Sequence, residues 1–543
     1  MDEVDVRGVR VRTWKHAPGS IRDMLEISKF HGDKDFLIYE DERVTFERHY
    51  AIAATLAHRL VEDFGVAKGD RIALAMRNFP EWPAVFFAAT AIGAVVVPLN
   101  AWWTAQELEF GLTDSGARLV FADGERADRL REVLPRLGIA TVVVRPEGEL
   151  PEGARTFTEV LGDVATDAAL PPAEVHADDD ATIFYTSGTT GKPKGALGTH
   201  RNFCGNPLGL AYLTLSGAMR GGASMEQAAG AIGERRVTLL GVPLFHATGC
   251  HAVLSTTVFS AGGLVLMYKW DAQRALELIQ RERITLVSGV PTMALQLLSH
   301  PDFDSYDLSS LTAVSYGGAP APPMLAERIK EVLPNRTPSN GYGLTETSAT
   351  TTYNSGYDYV RKPESVGPPM AVSDVKVVDP AGTELPMGEV GELLIKGPNV
   401  IMGYWNRPDA TANTFVDGWL HTGDLAKLDD EGFVHIVDRA KDMVIRGGEN
   451  VYCAEVEGAM YEHPAVADCA VIGIPHDVLG EEVGAVVCRA PGASLTEDEL
   501  RDFLKTHLAP FKIPVRVWFR EGELPRNPGG KILKTRLRDE LLG

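Results

Sequence analysis

The sequence predicts an α/β protein: a large body of parallel-type sheets covered by helices, a small β-rich subdomain, and a small α+β domain at the C-terminal end. Three observations lead there. Strand-like apolar runs alternate with helical stretches over 70–145 and again over 270–346, the pattern of parallel strands joined by crossover helices. Short strands separated by Gly/Pro turns crowd 375–437, which suggests a small β-rich subdomain. A chain of 543 residues exceeds what one hydrophobic core serves, so at least one further domain is expected.

In chain order, the runs 72–76, 117–122 and 140–144 read as strands of the first sheet. The apolar stretch 84–97, bounded by Pro83 and Pro98, is shorter than the roughly 20 residues a membrane helix needs and reads as a buried helix. Residues 146–180 are rich in Pro, Glu, Ala and Asp and read as a surface connection. The run 181–185 is a strand, and the Gly- and Ala-rich segment 211–236, without clear period, reads as an insertion rather than a mobile loop at a substrate entrance. A strand at 237–242 delivers Phe245, His246, Ala247, Thr248 and Gly249. Asp271 caps a helix carrying Ala275, Leu276, Leu278 and Ile279, and strands follow at 285–289 and 313–316, with a helix at 323–333. The runs 375–379, 392–396 and 434–437 form the β-rich subdomain. Beyond it come a helix at 454–461, strands at 469–472 and 484–488, and a helix opened by a Thr496/Glu499 capping box with an apolar stripe Leu500, Phe503, Leu504 and Leu508. The expected division is 1–437 for the large domain, 438–441 for the connection and 442–543 for the small domain.

A net charge of −21 disfavours nonspecific binding to nucleic acid or an anionic membrane. Five scattered cysteines with no C-x-x-C pair argue against a disulfide framework or a zinc site and fit a reducing cytoplasm. The N-terminal stretch lacks a signal peptide's apolar core, and the C-terminal residues are not a peroxisomal address.

The run Phe184-Tyr185-Thr186-Ser187-Gly188-Thr189-Thr190-Gly191-Lys192-Pro193-Lys194-Gly195 emerges at a strand end, where ligands bind in open α/β sheets. Its hydroxyls donate to phosphate oxygens, its glycines let the backbone approach, and its lysines offset negative charge. It is not a G-x-x-x-x-G-K-[ST] loop. Only two residues separate Gly188 from Gly191, and Pro193 stands where that motif needs a metal-binding hydroxyl. Two further glycine runs end strands, Gly317-Gly318-Ala319-Pro320 and Gly341-Tyr342-Gly343-Leu344-Thr345-Glu346. A flat aromatic, exposed backbone, a hydroxyl and a carboxylate suit a purine, a phosphate and a magnesium ion.

The YTSGTTGKPKG loop, with these matches, resembles the signature of the adenylate-forming (AMP-binding) superfamily, acyl-CoA synthetase type, and the resemblance extends over nearly the whole chain. It implies that Thr186, Ser187, Gly188, Thr189, Thr190, Gly191 and Lys194 hold the ATP phosphates. Gly317, Gly318, Ala319, Pro320, Gly341 and Gly343 would border the nucleotide, with Tyr342 stacked on adenine. Thr345 would meet the α-phosphate, Glu346 would bind Mg²⁺ with Thr186 as a second contact, and Asp424 would hold the ribose hydroxyls with Arg439 nearby. It further implies a pivot at Lys441 that makes the C-terminal α+β domain mobile, a catalytic Lys531 on that domain's glycine-rich loop, and a coenzyme A channel beside Gly447, Gly448 and Glu449.

The implied reaction joins a carboxylate to AMP and then to coenzyme A. His246 would lie beside the carboxylate, in an acyl pocket with Ala247, Gly249, Cys250, Gly317 and Gly341. No acidic residue follows Phe245, which disfavours an α-amino acid. A medium- or long-chain fatty acid is the favoured substrate. An aryl or arylpropenoic acid is the alternative, and a stand-alone enzyme loading a carrier protein is another. ATP, Mg²⁺ and coenzyme A are the expected cofactor and co-substrates, with a homodimer left open.

Overall fold

The computed structural model describes residues 1–186, 193–319, 321, 324–334, 336–527 and 530–542. Strand Arg71–Ala75 shows how the body is assembled. Ile72 and Leu74 enter one core with Trp82, Phe86 and Phe87, while Ala73 and Ala75 enter another with Val97, Leu108 and Leu112. A strand buried on both faces belongs in a parallel sheet with helices on either side. Its sheet runs in the order Lys194–Thr199, Asp180–Thr186, Val95–Pro98, Arg71–Ala75, Leu119–Asp123, Ala140–Val144, Arg155–Thr156, parallel except for the first pair.

A second sheet has the order Thr352–Ser355, Thr337–Tyr342, Ala313–Gly317, Leu286–Gly289, Val237–Leu240, Gly263–Leu266, Asp35–Tyr39, Glu42–Thr45. The two sheets share one core, because Leu240, Leu264 and Leu266 from the second meet the residues of Ile72, Leu74 and Val96 from the first. On the far face of the second sheet, Leu239, Val287 and Val314 pack under helices Ala272–Glu282, Pro291–Leu298 and Met324–Val332.

One expectation is corrected. The apolar stretch 84–97 is not one helix: helix Glu81–Ala91 stops, Gly93 turns the chain at φ 77°, and Val95–Pro98 continues as a strand. A left-handed glycine ends a helix, and the consecutive β-branched valines then favour extended backbone. Segment 211–236, where the sequence shows no clear period, is largely helical. Helix His200–Arg220, with Pro207 inside it, and helix Met225–Gly233 account for most of it. Burial of Leu213 and Gly217 against tertiary neighbours supports helix where the local sequence carries no period.

The β-rich subdomain is an antiparallel sheet of Asp374–Val378, Gly391–Lys396, Trp419–Leu428, Phe415–Val416 and Val434–Arg439. The next strand, Val444–Arg446, already belongs to the C-terminal sheet with Glu449–Val451, Gly480–Arg489, Val466–His476 and Arg516–Arg520. Helix Glu497–Leu504 begins at the expected Thr496/Glu499 capping box. The small domain packs onto the body: Gln296 donates to Glu523 at 3.3 Å, and Gly530 lies so close to Val290 that a Cβ there would come within 2.6 Å of its side chain. Among the described residues no helix is long and apolar enough to cross a membrane.

Candidate active site

Three strand ends meet above the carboxyl edges of the two sheets. At the first, Asp180–Thr186 and Lys194–Thr199 pair antiparallel, so Thr186 and Lys194 face each other at the base of the phosphate-loop segment, with the Thr186 hydroxyl donating to the Lys194 carbonyl at 3.4 Å. Ser187, Gly188, Thr189, Thr190 and Gly191 lie outside the described residues, as does Pro320. The hairpin base is anchored from both sides. Tyr185 donates to Asp114 at 2.9 Å, and Trp405 N–H bonds the Gly195 carbonyl at 2.8 Å.

At the second, strand Ala313–Gly317 ends beside Thr337–Tyr342, with Gly317 opposite Gly341. A Cβ on Gly317 would sit 2.5 Å from the Gly341 carbonyl oxygen, and Gly318 turns at φ 76°. Only glycine permits both the close strand approach and that turn. Ala319 follows in the bend. Tyr342 closes its strand, and burial, then Asp424, push its phenol well above the usual value. Its hydroxyl donates to Asp424 Oδ2 at 2.7 Å, while Arg439 Nε lies 2.6 Å from Asp424 Oδ1. Asp424 and Arg439 are paired across strands Trp419–Leu428 and Val434–Arg439, so one carboxylate gathers the aromatic and the guanidinium at one point.

The third is the Thr345–Thr347 turn, whose Glu346 accepts the Tyr404 hydroxyl at 2.7 Å on Oε1. Glu346 makes no ion pair among the described residues, and a carboxylate oxygen is the donor type a hard cation takes. Lys194 Nζ lies 5.2 Å over the Tyr404 ring. Tyr404 thus joins the phosphate-loop lysine to the acidic turn. Sequence reasoning missed it; the usable signal was the Gly403-Tyr404-Trp405 triplet, which pairs with strand Lys194–Thr199 through the Ala196–Tyr404 bridge.

Lys531 comes from the small domain to this same place. Its backbone N–H donates to Asn527 Oδ1 at 2.9 Å, Asn527 N–H returns a bond to the Lys531 carbonyl at 2.8 Å, and Arg526 bonds the Gly530 carbonyl at 2.7 Å. This lacing explains why proline, asparagine and glycine surround the lysine. Burial, then the charges of Arg439 and Lys441, lower its ammonium to about 8, while Asp442 and Asp424 oppose the shift. Lys441 stands in the turn after Arg439, where Asp442 N–H and Met443 N–H both bond the Arg439 carbonyl. The Gly447, Gly448 and Glu449 turn is exposed.

A cavity starts at Gly317, Gly318, Gly341 and Tyr342 and descends between the second sheet and helix His200–Arg220. Gly317 and Gly341 line it as expected. His246, Ala247, Gly249 and Cys250 do not; the same turn contributes Thr248, Ala252 and Val253 instead. Cys250 is fully buried in the shared core, and Gly249 abuts the Pro243 carbonyl, so these residues back the wall. Desolvation lowers His246 to about 4, so its imidazole is neutral at pH 7.

The family model for "AMP-binding enzyme" matches residues 26–405, and that for "AMP-binding enzyme C-terminal domain" matches 455–531. A feruloyl-CoA synthase of Amycolatopsis sp is 39% identical over 474 residues, covering 87% of this chain and 89% of the relative. A long-chain-fatty-acid–CoA ligase of Mycobacterium tuberculosis is 36% identical over 510 residues, covering 92% and 93%. Among solved structures, ATP-bound MatB from Rhodopseudomonas palustris has 32% identity and a TM-score of 0.82, covering 96% of this chain and 99% of its own.

Proposed function

The chain belongs to the AMP-binding enzyme family and is an AMP-forming acyl-CoA synthetase, and on that premise we propose that it activates a medium- or long-chain fatty acid in the cleft between its two domains. The observation that carries the choice of acid is the length of the cavity. It passes from Gly317 down the face of the second sheet through Ser315, Ser288 and Thr238 to Arg236. Leu240 pairs with Ser288 and Ser288 with Ser315; Gly317 lies two residues above Ser315 and Arg236 four below Leu240. At normal strand rise and spacing the backbone positions of these lining residues span about 20 Å, longer than a single aromatic ring.

A carboxylate is a poor acyl donor because its leaving group would be oxide. In the first half-reaction its oxygen attacks the α-phosphorus of ATP, a P–O bond forms, and the bond to pyrophosphate breaks. Two anions must approach, so cations placed where charge accumulates lower the barrier. Lys194 and Lys531 supply such charge in our reading, Thr345 donates to the α-phosphate, and the Gly317–Ala319 backbone and Tyr342 flank adenine. Asp424 takes the ribose hydroxyls, trading the Tyr342 hydrogen bond for the ligand's. Glu346, with Thr186, would hold Mg²⁺, whose charge would neutralise phosphate oxygens; the oxygen-only donor set and the absence of a competing ion pair among the described residues fit a hard cation. His246, uncharged, would stand near the carboxylate without adding a competing cation.

In the second half-reaction the coenzyme A thiolate attacks the acyl carbon and AMP departs. The exposed Gly447–Glu449 turn is then the one to come forward, by rotation about Lys441 that withdraws Lys531. The separate cores of the β-rich subdomain and the small domain, on either side of 438–441, support such a pivot. The enzyme would work in the cytoplasm.

The test is carboxylate-dependent pyrophosphate release with and without coenzyme A, across fatty acids of graded length and benzoic, cinnamic and amino acids. Turnover that needs coenzyme A and rises with chain length supports the proposal. Preference for the aryl acids overturns the choice of substrate, and adenylate that coenzyme A cannot discharge overturns the second half-reaction.

A further inference from the structure

The far end of the cavity is chemically unlike a site for a methyl terminus. The sheet face that lines it carries Thr238, Ser288 and Ser315, and the opposite wall adds Thr214, Thr256, Thr257 and Ser260. Several of these hydroxyls are satisfied internally: Thr214 donates to the Leu210 carbonyl at 2.8 Å, Thr257 to Val253 at 2.8 Å and Ser260 to Thr256 at 2.8 Å. Others are not. The Thr256 hydroxyl is buried without a partner, and among the described residues neither Ser288 nor Thr238 makes a side-chain hydrogen bond. An unpaired hydroxyl beside a hydrocarbon chain costs free energy, whereas the same hydroxyl beside a polar ligand or a retained water does not.

Arg236, half-buried, stands at this end. It precedes strand Val237–Leu240, at the end of the sheet remote from Gly317, two residues before Thr238 and so on the face that Thr238 presents to the cavity, and its side chain makes no ion pair or hydrogen bond among the described residues. Its neighbour Arg235 behaves differently, donating to the Ala261 carbonyl at 3.2 Å and the Asp35 carbonyl at 2.6 Å. Two adjacent arginines therefore have separate tasks: one ties the strand edge together, and the other, beside the cavity, keeps its five donors uncommitted among the described residues.

We propose that Arg236 is a specificity-determining residue that binds a second anionic group, a carboxylate, at the far end of the acyl chain, so that the preferred substrates are long α,ω-dicarboxylic acids activated at one end. This rests on the acyl-CoA synthetase reading and on the length of the cavity. A carboxylate meets a guanidinium in bidentate fashion, and the adjoining hydroxyls donate to its remaining lone pairs. The span of about 20 Å from Gly317 to Arg236 sets the chain length at which both ends are held at once. Shorter diacids leave the second carboxylate in the channel without its partner.

The experiment measures kcat/KM in the coenzyme A-dependent assay for matched pairs of mono- and dicarboxylic acids from eight to sixteen carbons, with the wild-type enzyme, Arg236→Leu and Arg236→Lys. The expected result is a dicarboxylate preference of about tenfold or more at one chain length, expressed in KM, lost in Arg236→Leu and partly restored in Arg236→Lys. A wild-type enzyme that uses monocarboxylates with no preference for their dicarboxylic partners overturns the inference and leaves the synthetase reading standing. A dicarboxylate preference that survives in Arg236→Leu overturns the role of Arg236. No coenzyme A-dependent turnover with any acid overturns the underlying reading itself.

Discussion

Tyr404 donates its phenolic proton to Glu346 Oε1 at 2.7 Å and carries Lys194 Nζ 5.2 Å over its ring. One side chain therefore links the Glu346 carboxylate, proposed above to hold Mg²⁺, to Lys194, proposed to meet phosphate. Tyr404→Phe keeps the ring, its contact with Phe415 and the place of Lys194, and removes only the hydrogen bond. A hydrogen bond to a charged group contributes about 1.5–3 kcal/mol, so the Mg²⁺ concentration for half-maximal pyrophosphate release should rise about tenfold or more. An unchanged Mg²⁺ titration would show that Glu346 needs no such support.

Lys531 has a proton to lose near pH 8. Its ammonium is lowered to about 8 by burial and by neighbouring cations, so the positive charge is present below that pH and disappears as pH rises through it. Adenylation should have an alkaline limb near pH 8 in kcat/KM, the parameter that reports the free enzyme. Arg in place of Lys531 remains charged and should flatten the limb even where it lowers the rate. Lys531→Ala should cost about a hundredfold or more in adenylation while ATP binding, measured by calorimetry, largely survives.

The cavity can be shortened from within. Ser288 faces it from the middle of strand Leu286–Gly289 and is half-buried. In Ser288→Phe the ring should fill the channel, so acids of six to eight carbons remain substrates while those of twelve or more lose about tenfold or more in kcat/KM. A uniform loss at all lengths would mean that the chain takes another path.

Asp438 stands where the β-rich subdomain gives way to the small domain. It accepts the backbone N–H groups of Cys453 and of Arg439, the latter at 2.7 Å, and burial pushes its carboxyl up to about 6. Between about pH 4 and 6 the folded chain holds a proton that the unfolded chain has released. This group therefore favours the folded state most below pH 4, and that contribution is lost as pH rises through 6. The full swing is about 3 kcal/mol. Asp438→Asn carries no such charge, so its stability relative to wild type should improve from pH 4 to pH 7 in denaturant melts. A constant difference across that range would place the carboxyl at its ordinary value.

Local signals explain what was legible. The phosphate-loop run, the glycines at 317–318 and 341–343, the Thr496/Glu499 cap and the Asp271 cap are short-range patterns, and the structure places the described ones at strand and helix ends as their chemistry requires. The stretch 84–97 was misread because uniform apolarity carries no period, so only tertiary packing separates helix Glu81–Ala91 from strand Val95–Pro98. The cavity lining was not legible for a related reason: Thr248 and Cys250 are near in sequence, yet the turn that holds them presents one to the cavity and the other to the core.

By itself the amino-acid sequence determined the α/β class, the glycine-rich strand ends and the family, because backbone geometry and the family's motifs are written in contiguous residues. The tertiary structure alone decided the partnerships that cross the chain: Tyr404 with Glu346, Tyr342 and Arg439 with Asp424, Lys531 beside that pair, and Arg236 at the end of a cavity begun at Gly317. Side chains separated by dozens to hundreds of residues share a site only through sheet register and domain packing, which no local pattern encodes.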